Sequence, residues 1–112
     1  MNCEGIWKVE MRGPYGWERI GTGFMRNGEY LGASTSHYTV GSYKQDGDDL
    51  EISYHITQYA DFRTVFGIKS MTELDVTSKC KIKKNKIVCT GNAKGNKKFD
   101  VQLRLTRLDS LE

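Results

Sequence analysis

Residues 45–57 read QDGDDLEISYHIT, and this stretch decides the fold because its last eight residues alternate strictly between apolar and polar. A period of two is typical of a β-strand that buries one face and exposes the other. The Asp-Gly pair at Asp46–Gly47 precedes the strand and is a hairpin signal. The stretch therefore predicts a strand over Asp49–Thr57 that begins at a tight turn. The residues expected on its buried face are Leu50, Ile52, Tyr54 and Ile56.

Alternation of the same period recurs along most of the chain. Twelve glycines beside one proline suit short strands that are joined by tight turns. The pattern predicts about eight antiparallel strands in sequential hairpins, and Gln58–Gly67 interrupts it with a helical turn or a crossing loop. The other predicted strands are Gly5–Arg12, Trp17–Arg26, the run from Glu29, His37–Lys44, Met71–Ile82, Lys86–Gly91 and Lys97–Leu108.

Asn27–Gly28 is the strongest hairpin signal, because both residues tolerate the positive φ of a type I′ turn. If these two residues form the loop, Phe24 lies opposite Leu31 and Thr22 lies opposite Ala33. This register predicts one apolar face across both strands. We expect Phe24 and Leu31 to point into the core.

The turn before the predicted strand Asp49–Thr57 is compatible with two registers of strand pairing. A two-residue loop at Asp46–Gly47 places Gly41 and Tyr43 on the buried face. A three-residue loop places Val40 and Ser42 there instead.

Cysteine usage indicates the redox compartment. A hairpin around Lys84–Asn85 would place Cys80 opposite Cys89 on the apolar face. Cys3 makes the count odd in a chain large enough for its own core, which points to a reducing compartment and to reduced thiols. Met1–Met11 lacks the apolar run of a signal peptide, and no run of about 18 uncharged apolar residues is present. We therefore expect a cytoplasmic protein without a membrane role.

The length bounds the architecture. With 112 residues, 38% hydrophobic and 28% charged, the chain is predicted to form one domain over residues 1–112, which disfavours a multidomain enzyme. An open sheet of about eight strands would leave two unpaired edges, and closure removes them. The prediction is an all-β, antiparallel up-and-down barrel, and a two-sheet sandwich is the alternative.

Positive charge is concentrated near the end of the chain. The window 79–98 carries +8 and contains no acid. Because the net charge of the chain is +3, the remaining residues carry −5. Clustered lysines attract phosphates, but the window has no arginine to read bases and only Phe99 beside it for stacking. Nucleic-acid binding is therefore disfavoured. The lysines are Lys79, Lys81, Lys83, Lys84, Lys86, Lys94, Lys97 and Lys98.

Four carboxylates lie within six positions at the predicted hairpin tip, at Asp46, Asp48, Asp49 and Glu51. They could dock a basic partner surface through charge complementarity, or form a solvated turn that needs Asp and Gly for its geometry. The stretch lacks the further spaced oxygen ligands of a calcium-binding EF-hand loop. Pairing of this acidic tip with the lysine window of a second subunit would fit a homodimer.

The barrel interior is a second candidate site. Gly21, Gly23 and Gly41 would leave space for a small apolar ligand, although a filled core is the better expectation in so short a chain. The residues expected to line the cavity are Phe24, Leu31, Gly41, Tyr54, Ile56, Leu74, Val76, Val101 and Leu103.

Catalytic chemistry has little support. His37 and His55 are the two histidines, and no serine or cysteine beside either makes a nucleophile motif. His55 alternates with the buried face, so we expect it to be exposed. The cysteines lack the spacing of metal ligands. We expect no catalytic residue, no metal and no cofactor.

Six short motifs follow one another in a distinctive order: Gly5-Ile6-Trp7, Gly21-Thr22-Gly23-Phe24, Asn27-Gly28, Leu31-Gly32, Tyr38-Thr39-Val40-Gly41-Ser42-Tyr43 and Val65-Phe66-Gly67. In this order and spacing, the chain resembles the GrlR-like family of small bacterial proteins from about Gly5 to Leu108. The resemblance implies a lipocalin-like, calycin-type β-barrel. It also implies a regulatory role, because the family is named after a negative regulator of type III secretion that sequesters a transcriptional activator.

The named regulator uses an exposed acidic tetrapeptide to contact its partner. The matching loop reads Gln45-Asp46-Gly47-Asp48 and is followed by Asp49, so part of the acidity is kept and two of the four positions depart. Gly32-Ala33-Ser34 stands where the family has Gly-Gly-Asp, and a carboxylate is lost. The resemblance therefore implies that the partner-binding residues are Gln45, Asp46, Gly47, Asp48 and Asp49.

Together these observations predict a cytoplasmic, non-enzymatic regulator that acts by contacts with a protein partner. The resemblance implies a transcriptional activator as the class of partner. We expect a homodimer. The alternative function is a binding protein or sensor for a small hydrophobic ligand inside the barrel.

Overall fold

The computed structural model describes residues 3–13, 16–34, 37–59, 73–93 and 96–110. Each strand pairs with the next in antiparallel fashion, and β8 pairs with β1, so the sheet is a closed barrel. The predicted all-β, up-and-down barrel of lipocalin-like type is confirmed, and the sandwich alternative is wrong. The strands are β1 Gly5–Gly13, β2 Gly16–Arg26, β3 Glu29–Ala33, β4 His37–Asp46, β5 Asp49–Gln58, β6 Glu73–Lys83, β7 Lys86–Ala93 and β8 Asn96–Ser110.

The predicted interruption at Gln58–Gly67 is described at its first two residues. Gln58 ends β5 and Tyr59 follows it, whereas residues 60–67 of the predicted interruption lie outside the described residues. Within the described ranges, no helix is long and apolar enough to cross a membrane.

The seam between β8 and β1 carries a side-chain link in addition to its backbone ladder. Arg104 donates from Nε and Nη2 to the two carboxylate oxygens of Glu10, each at 3.1 Å. This hydrogen-bonded contact lowers the pKa of Glu10. The guanidinium of Arg104 also stacks 4.3 Å from the ring centre of Trp17, so one side chain joins β8 to β1 and β2.

The β2–β3 hairpin has the predicted turn and register. Asn27 and Gly28 have φ of 53° and 80°, the left-handed values that a type I′ turn requires. Phe24 lies opposite Leu31, as the sequence predicted.

The orientation predicted for these two side chains is wrong. Phe24 and Leu31 are 42% and 43% exposed on the outer wall, whereas Met25 and Tyr30 are buried. Both faces of this hairpin are apolar, so hydrophobicity alone does not select the inner one. Gly23 determines which face points inward, because its missing side chain leaves the interior space that the Tyr30 ring fills.

The β4–β5 turn is a two-residue loop that is displaced by one residue from the prediction. Asp46 pairs with Asp49, so Gly47 and Asp48 form the loop. The displacement preserves the predicted faces, since Tyr43 lies opposite the buried Ile52. Val40 and Ser42 point outward, so the three-residue alternative is wrong.

The remaining strands follow their predicted alternation. The side chain of Phe99, predicted to point inward, lies outside the described residues. The buried apolar residues form one core: Cys3, Trp7, Val9, Met11, Met25, Tyr30, Leu50, Ile52, Tyr54, Ile56, Leu74, Val76, Cys80, Ile82, Ile87, Cys89, Val101, Leu103 and Leu105.

The cysteine prediction is partly wrong. Cys80 and Cys89 lie opposite each other as predicted, but they form a disulfide bond instead of remaining reduced. Their Cα atoms are 4.1 Å apart, which matches the closer of the two kinds of antiparallel pair and brings the sulfurs within bonding reach. Cys3 is the free cysteine and is buried, which raises the pKa of its thiol.

Tyr54 fills the barrel beside Gly41. A Cβ atom at Gly41 would lie 2.8 Å from the Tyr54 Cα and Cβ atoms, and closer still to the carbonyl oxygen of Ser53. The Tyr54 ring packs edge-on against Tyr30 at 5.9 Å, and its hydroxyl hydrogen-bonds to Ser78 Oγ at 3.2 Å. The glycine therefore makes room for a tyrosine.

Gly41→Ala is expected to lower the free energy of unfolding by about 1–3 kcal/mol, because a methyl group added to a filled core forces its neighbours to shift. Urea unfolding followed by tryptophan fluorescence measures the change. Ser42→Ala is the control, since Ser42 is the exposed neighbour and its loss should cost less than about 0.5 kcal/mol. Equal stabilities of the two variants would contradict this packing.

Candidate functional site

The acidic turn, defined as Gln45–Asp49, lies at one end of the barrel, and all five of its residues are exposed. Asp46 and Asp48 form no ion pair with any described residue. Asp49 accepts a hydrogen bond from the Lys81 ammonium across the β5–β6 ladder. Two negative charges of the turn are therefore open to a partner.

Three hydrogen bonds hold the acidic turn in one shape. Gln45 Nε2 donates to the Gly47 carbonyl at 3.1 Å, and Gln45 Oε1 accepts from the Cys3 backbone at 3.4 Å. The backbone N–H of Ile82 donates to the Asp48 carbonyl at 2.9 Å. Cys3 is fully buried, and its carbonyl accepts a hydrogen bond from the Trp7 indole. The contact between Gln45 and Cys3 therefore connects the acidic turn to the core.

The lysine turn, defined as Lys83, Lys84 and Lys86, lies beside the acidic turn. The β5–β6 register pairs Asp49 with Lys81, which brings both hairpin tips to the same end of the barrel. Contact with Asp49 raises the pKa of Lys81. The acidic and basic stretches, for which the sequence allowed pairing between subunits, therefore meet within one chain.

A concave surface, which we call the outer groove, lies on the outside of β4–β7 next to both turns. Its volume is about 810 Å³, within the usual range for sites that bind small molecules. Carboxylates come from β4 and β5, and lysines come mainly from β6. The charged side chains that line it are Lys44, Asp46, Asp49, Glu51, Lys79, Lys81 and Lys83.

A row of apolar side chains crosses the outside of β1–β4. Ile6 lies opposite Phe24, Phe24 opposite Leu31 and Leu31 opposite Val40. Val40 is 53% exposed, and Phe24 and Leu31 are exposed to a similar extent. We call these four residues the outer apolar row. Contiguous exposed apolar residues of this kind mark contact surfaces.

Sequence reasoning missed the outer apolar row because it assigned Phe24 and Leu31 to the core. The signal that could have found the row is Gly23. Adjacent residues on a strand point to opposite faces, so a glycine that leaves interior space for Tyr30 places Phe24 outside.

The predicted cavity residues divide into an inner and an outer group. Phe24 and Leu31 are outside, and Tyr54 occupies the space beside Gly41. A cavity of about 20 Å³ lies beside Val9 and His37, room for about one water molecule. The other predicted cavity residues are core side chains: Tyr54, Ile56, Leu74, Val76, Val101 and Leu103.

The two histidines have opposite environments. His55 lies on the outer wall as predicted, with Nδ1 2.5 Å from Asp75 and Nε2 3.1 Å from Glu73. Hydrogen bonds to Asp75 and then Glu73 raise the pKa of His55. His37 is buried, and this burial lowers the pKa of its imidazole. His55 therefore favours the charged form and His37 the neutral form.

Across the described ranges, no group of three or more His, Cys, Asp or Glu side chains is arranged to hold a metal ion.

A scan of protein-family models gives no match to the chain, and a search of curated proteins gives no relative.

The folded protein is expected to lose a small part of its stability as the pH rises past neutrality. The pKa of His55 is raised in the folded state, so its contribution is full below the unfolded pKa of about 6.5 and disappears as the pH passes the folded value. The side chain is 41% exposed, which limits the effect to about 0.5 kcal/mol.

Urea midpoints of wild type and His55→Asn, compared at about pH 5 and about pH 9, measure this contribution. The difference between the two proteins isolates His55 from His37. A difference that grows with pH would contradict the assignment.

Proposed function

We propose that the protein is a non-enzymatic regulator that binds another protein through its acidic turn, in the manner of the GrlR-like negative regulators. The observation that carries the proposal is a pair of exposed carboxylates, Asp46 and Asp48, on a turn that hydrogen bonds hold to the core. A fixed negative patch speeds association with a basic surface and selects against acidic ones. A transcriptional activator is the class of partner that we propose.

The packing of the interior supports a role in protein contacts over the carrying of a small ligand. Tyr30 and Tyr54 fill the space that glycines leave, and the two rings contact each other. A ligand of ordinary size needs a volume of about 300 Å³ or more, far above the cavity beside His37. The outer wall offers the larger recognition surfaces.

We also infer that the protein forms a homodimer through the outer apolar row. A two-fold interface uses the same patch on both subunits, and each subunit should bury about 800 Å². Tyr38 and Tyr59 extend the apolar surface next to the row, with ring centres 6.1 Å apart and both side chains exposed. The row supplies the aromatic and aliphatic contacts that such an interface needs.

A cytoplasmic location in a bacterium belongs to the same proposal, because a partner that activates transcription is intracellular. The Cys80–Cys89 disulfide opposes this location, since reducing compartments keep most thiols reduced.

Replacement of the two exposed carboxylates, Asp46→Asn with Asp48→Asn, is expected to weaken partner capture about tenfold or more, a loss of about 1.4 kcal/mol or more. A quantitative pull-down from a lysate of the source organism measures the loss. The matched control is Glu29→Gln with Asp109→Asn, which removes two exposed carboxylates elsewhere and should retain the partner. Full retention by the acidic-turn variant would refute the mechanism.

Leu31→Asp is expected to convert a dimer into a monomer in sedimentation analysis, because it places a charge at the centre of the outer apolar row. Val88→Asp is the control, since Val88 is also about half-exposed but lies outside the row. A wild-type monomer, or a dimer that survives Leu31→Asp, would argue against this interface.

A further inference from the structure

We propose that the outer groove binds a protein segment that carries both signs of charge, with its basic side chains on the acidic turn and its acidic side chains on the lysines of β6. The proposal rests on the proposed function, because the acidic turn forms one wall of the groove. It adds the lysines as the second half of the recognition surface.

The groove has an acidic wall, formed by Asp46, Asp49 and Glu51, and a basic wall, formed by Lys79, Lys81 and Lys83. The strand register places these two walls side by side. One transverse line of paired positions runs from Asp46 through Asp49 to Lys81, and the next runs from Lys44 through Glu51 to Lys79. Crossing from β5 to β6 therefore changes the sign of charge in both lines, and Lys44 adds one positive charge on the β4 side of Glu51. Neighbouring strands lie about 4.8 Å apart, so the opposite signs are adjacent.

Most of these charges have no ion-pair partner among the residues that the structure describes. Lys81 pairs with Asp49, whereas Asp46, Glu51 and Lys79 form no ion pair with any described residue. The groove is lined by four lysines and three carboxylates, so its net charge is close to zero although its local charges are strong. Such a surface attracts a ligand by the arrangement of its charges and not by its total charge.

The groove also offers an apolar contact. Val88 on β7 lies opposite Lys81, lines the groove and is 48% exposed. A partner side chain that covers Val88 would exclude water from the nearby charges, which strengthens their attraction.

Selectivity follows from the distance between the walls. The spacing of about 5 Å between strands is shorter than the Debye length of about 8 Å at physiological salt. A purely basic segment is therefore repelled by Lys79 and Lys83 while Asp46 and Glu51 attract it, and a purely acidic segment meets the reverse. Only an oriented segment of mixed charge gains from both walls, and the repulsive wall excludes single-sign competitors.

Three labelled peptides of equal length test the proposal by fluorescence anisotropy at low salt: alternating Lys-Glu, all Lys and all Glu. Successive side chains of an extended peptide point to opposite sides, so the alternating peptide presents one sign to each wall. It should bind the wild-type protein about tenfold more tightly than either single-sign peptide.

Two variants make the test independent of unfolding. Lys79→Gln with Lys83→Gln should weaken binding of the alternating peptide and strengthen binding of the all-Lys peptide. Asp46→Asn with Glu51→Gln should likewise strengthen binding of the all-Glu peptide. Arg12→Gln with Arg26→Gln is the charge-matched control on β1 and β2 and should behave as wild type.

The outcomes separate this inference from the proposed function. Equal binding of the all-Lys and alternating peptides to wild type would overturn the two-wall inference and leave the acidic turn as the partner site. Failure of every peptide to bind would also overturn the inference, and the pull-down with the acidic-turn variant would still decide the proposed function. Gain of single-sign binding in both groove variants would support the inference.

Discussion

The ladder between β8 and β1 closes the sheet, and that closure gives the protein an inside and an outside. Closure removes both unpaired edges, which would otherwise be available to pair with other chains. Arg104 and Glu10 form a two-bond contact across this seam, so the two ends of the barrel sequence are joined by side chains as well as by backbone. Whether a residue belongs to the core or to a contact surface depends on this division between the inside and the outside of the barrel.

Once the barrel is closed, its interior must be filled from the strands themselves. An eight-stranded barrel has room for side chains or for one small ligand. Tyr30 and Tyr54 take much of that room, and Gly23 and Gly41 are the positions where a side chain would collide with them. Gly23 and Gly41, two of the glycines that first suggested space for a ligand, are therefore part of the packing. This leaves the outer wall as the place where recognition is most readily built.

The amino-acid pattern predicts the strands well wherever one face is polar. β5 is such a case, because its polar residues cannot be buried without partners, and its boundaries agree with the structure to within one residue. Phe24 and Leu31 show where the pattern fails, since both faces of their hairpin are apolar and only packing against Gly23 separates them. The Cys80–Cys89 disulfide was missed for another reason: the register placed the sulfurs together, but compartment reasoning favoured reduced thiols.

The sequence predicts the acidic turn and the lysine turn of the candidate site, but it does not predict that the two turns lie side by side. The sequence contains the acidic turn and the lysine turn as separate stretches, and their adjacency depends on the β5–β6 register across the long connection between these strands. No local signal sets that register, because the hairpin rules that fix the other turns apply only to short loops.

The outer apolar row and the outer groove lie on different parts of the wall, and this separation would matter if both are contact surfaces as proposed. The outer apolar row crosses β1–β4, whereas the outer groove crosses β4–β7, and on the shared strand Val40 and Lys44 are four residues apart, about 13 Å. A dimer formed through the row would leave the groove of each subunit open. Two identical grooves on one rigid dimer would bind a dimeric partner with an avidity far above that of one groove, provided that the spacing of its segments matches. Weak, salt-sensitive contacts of the kind a charged groove makes would then be sufficient to sequester such a partner.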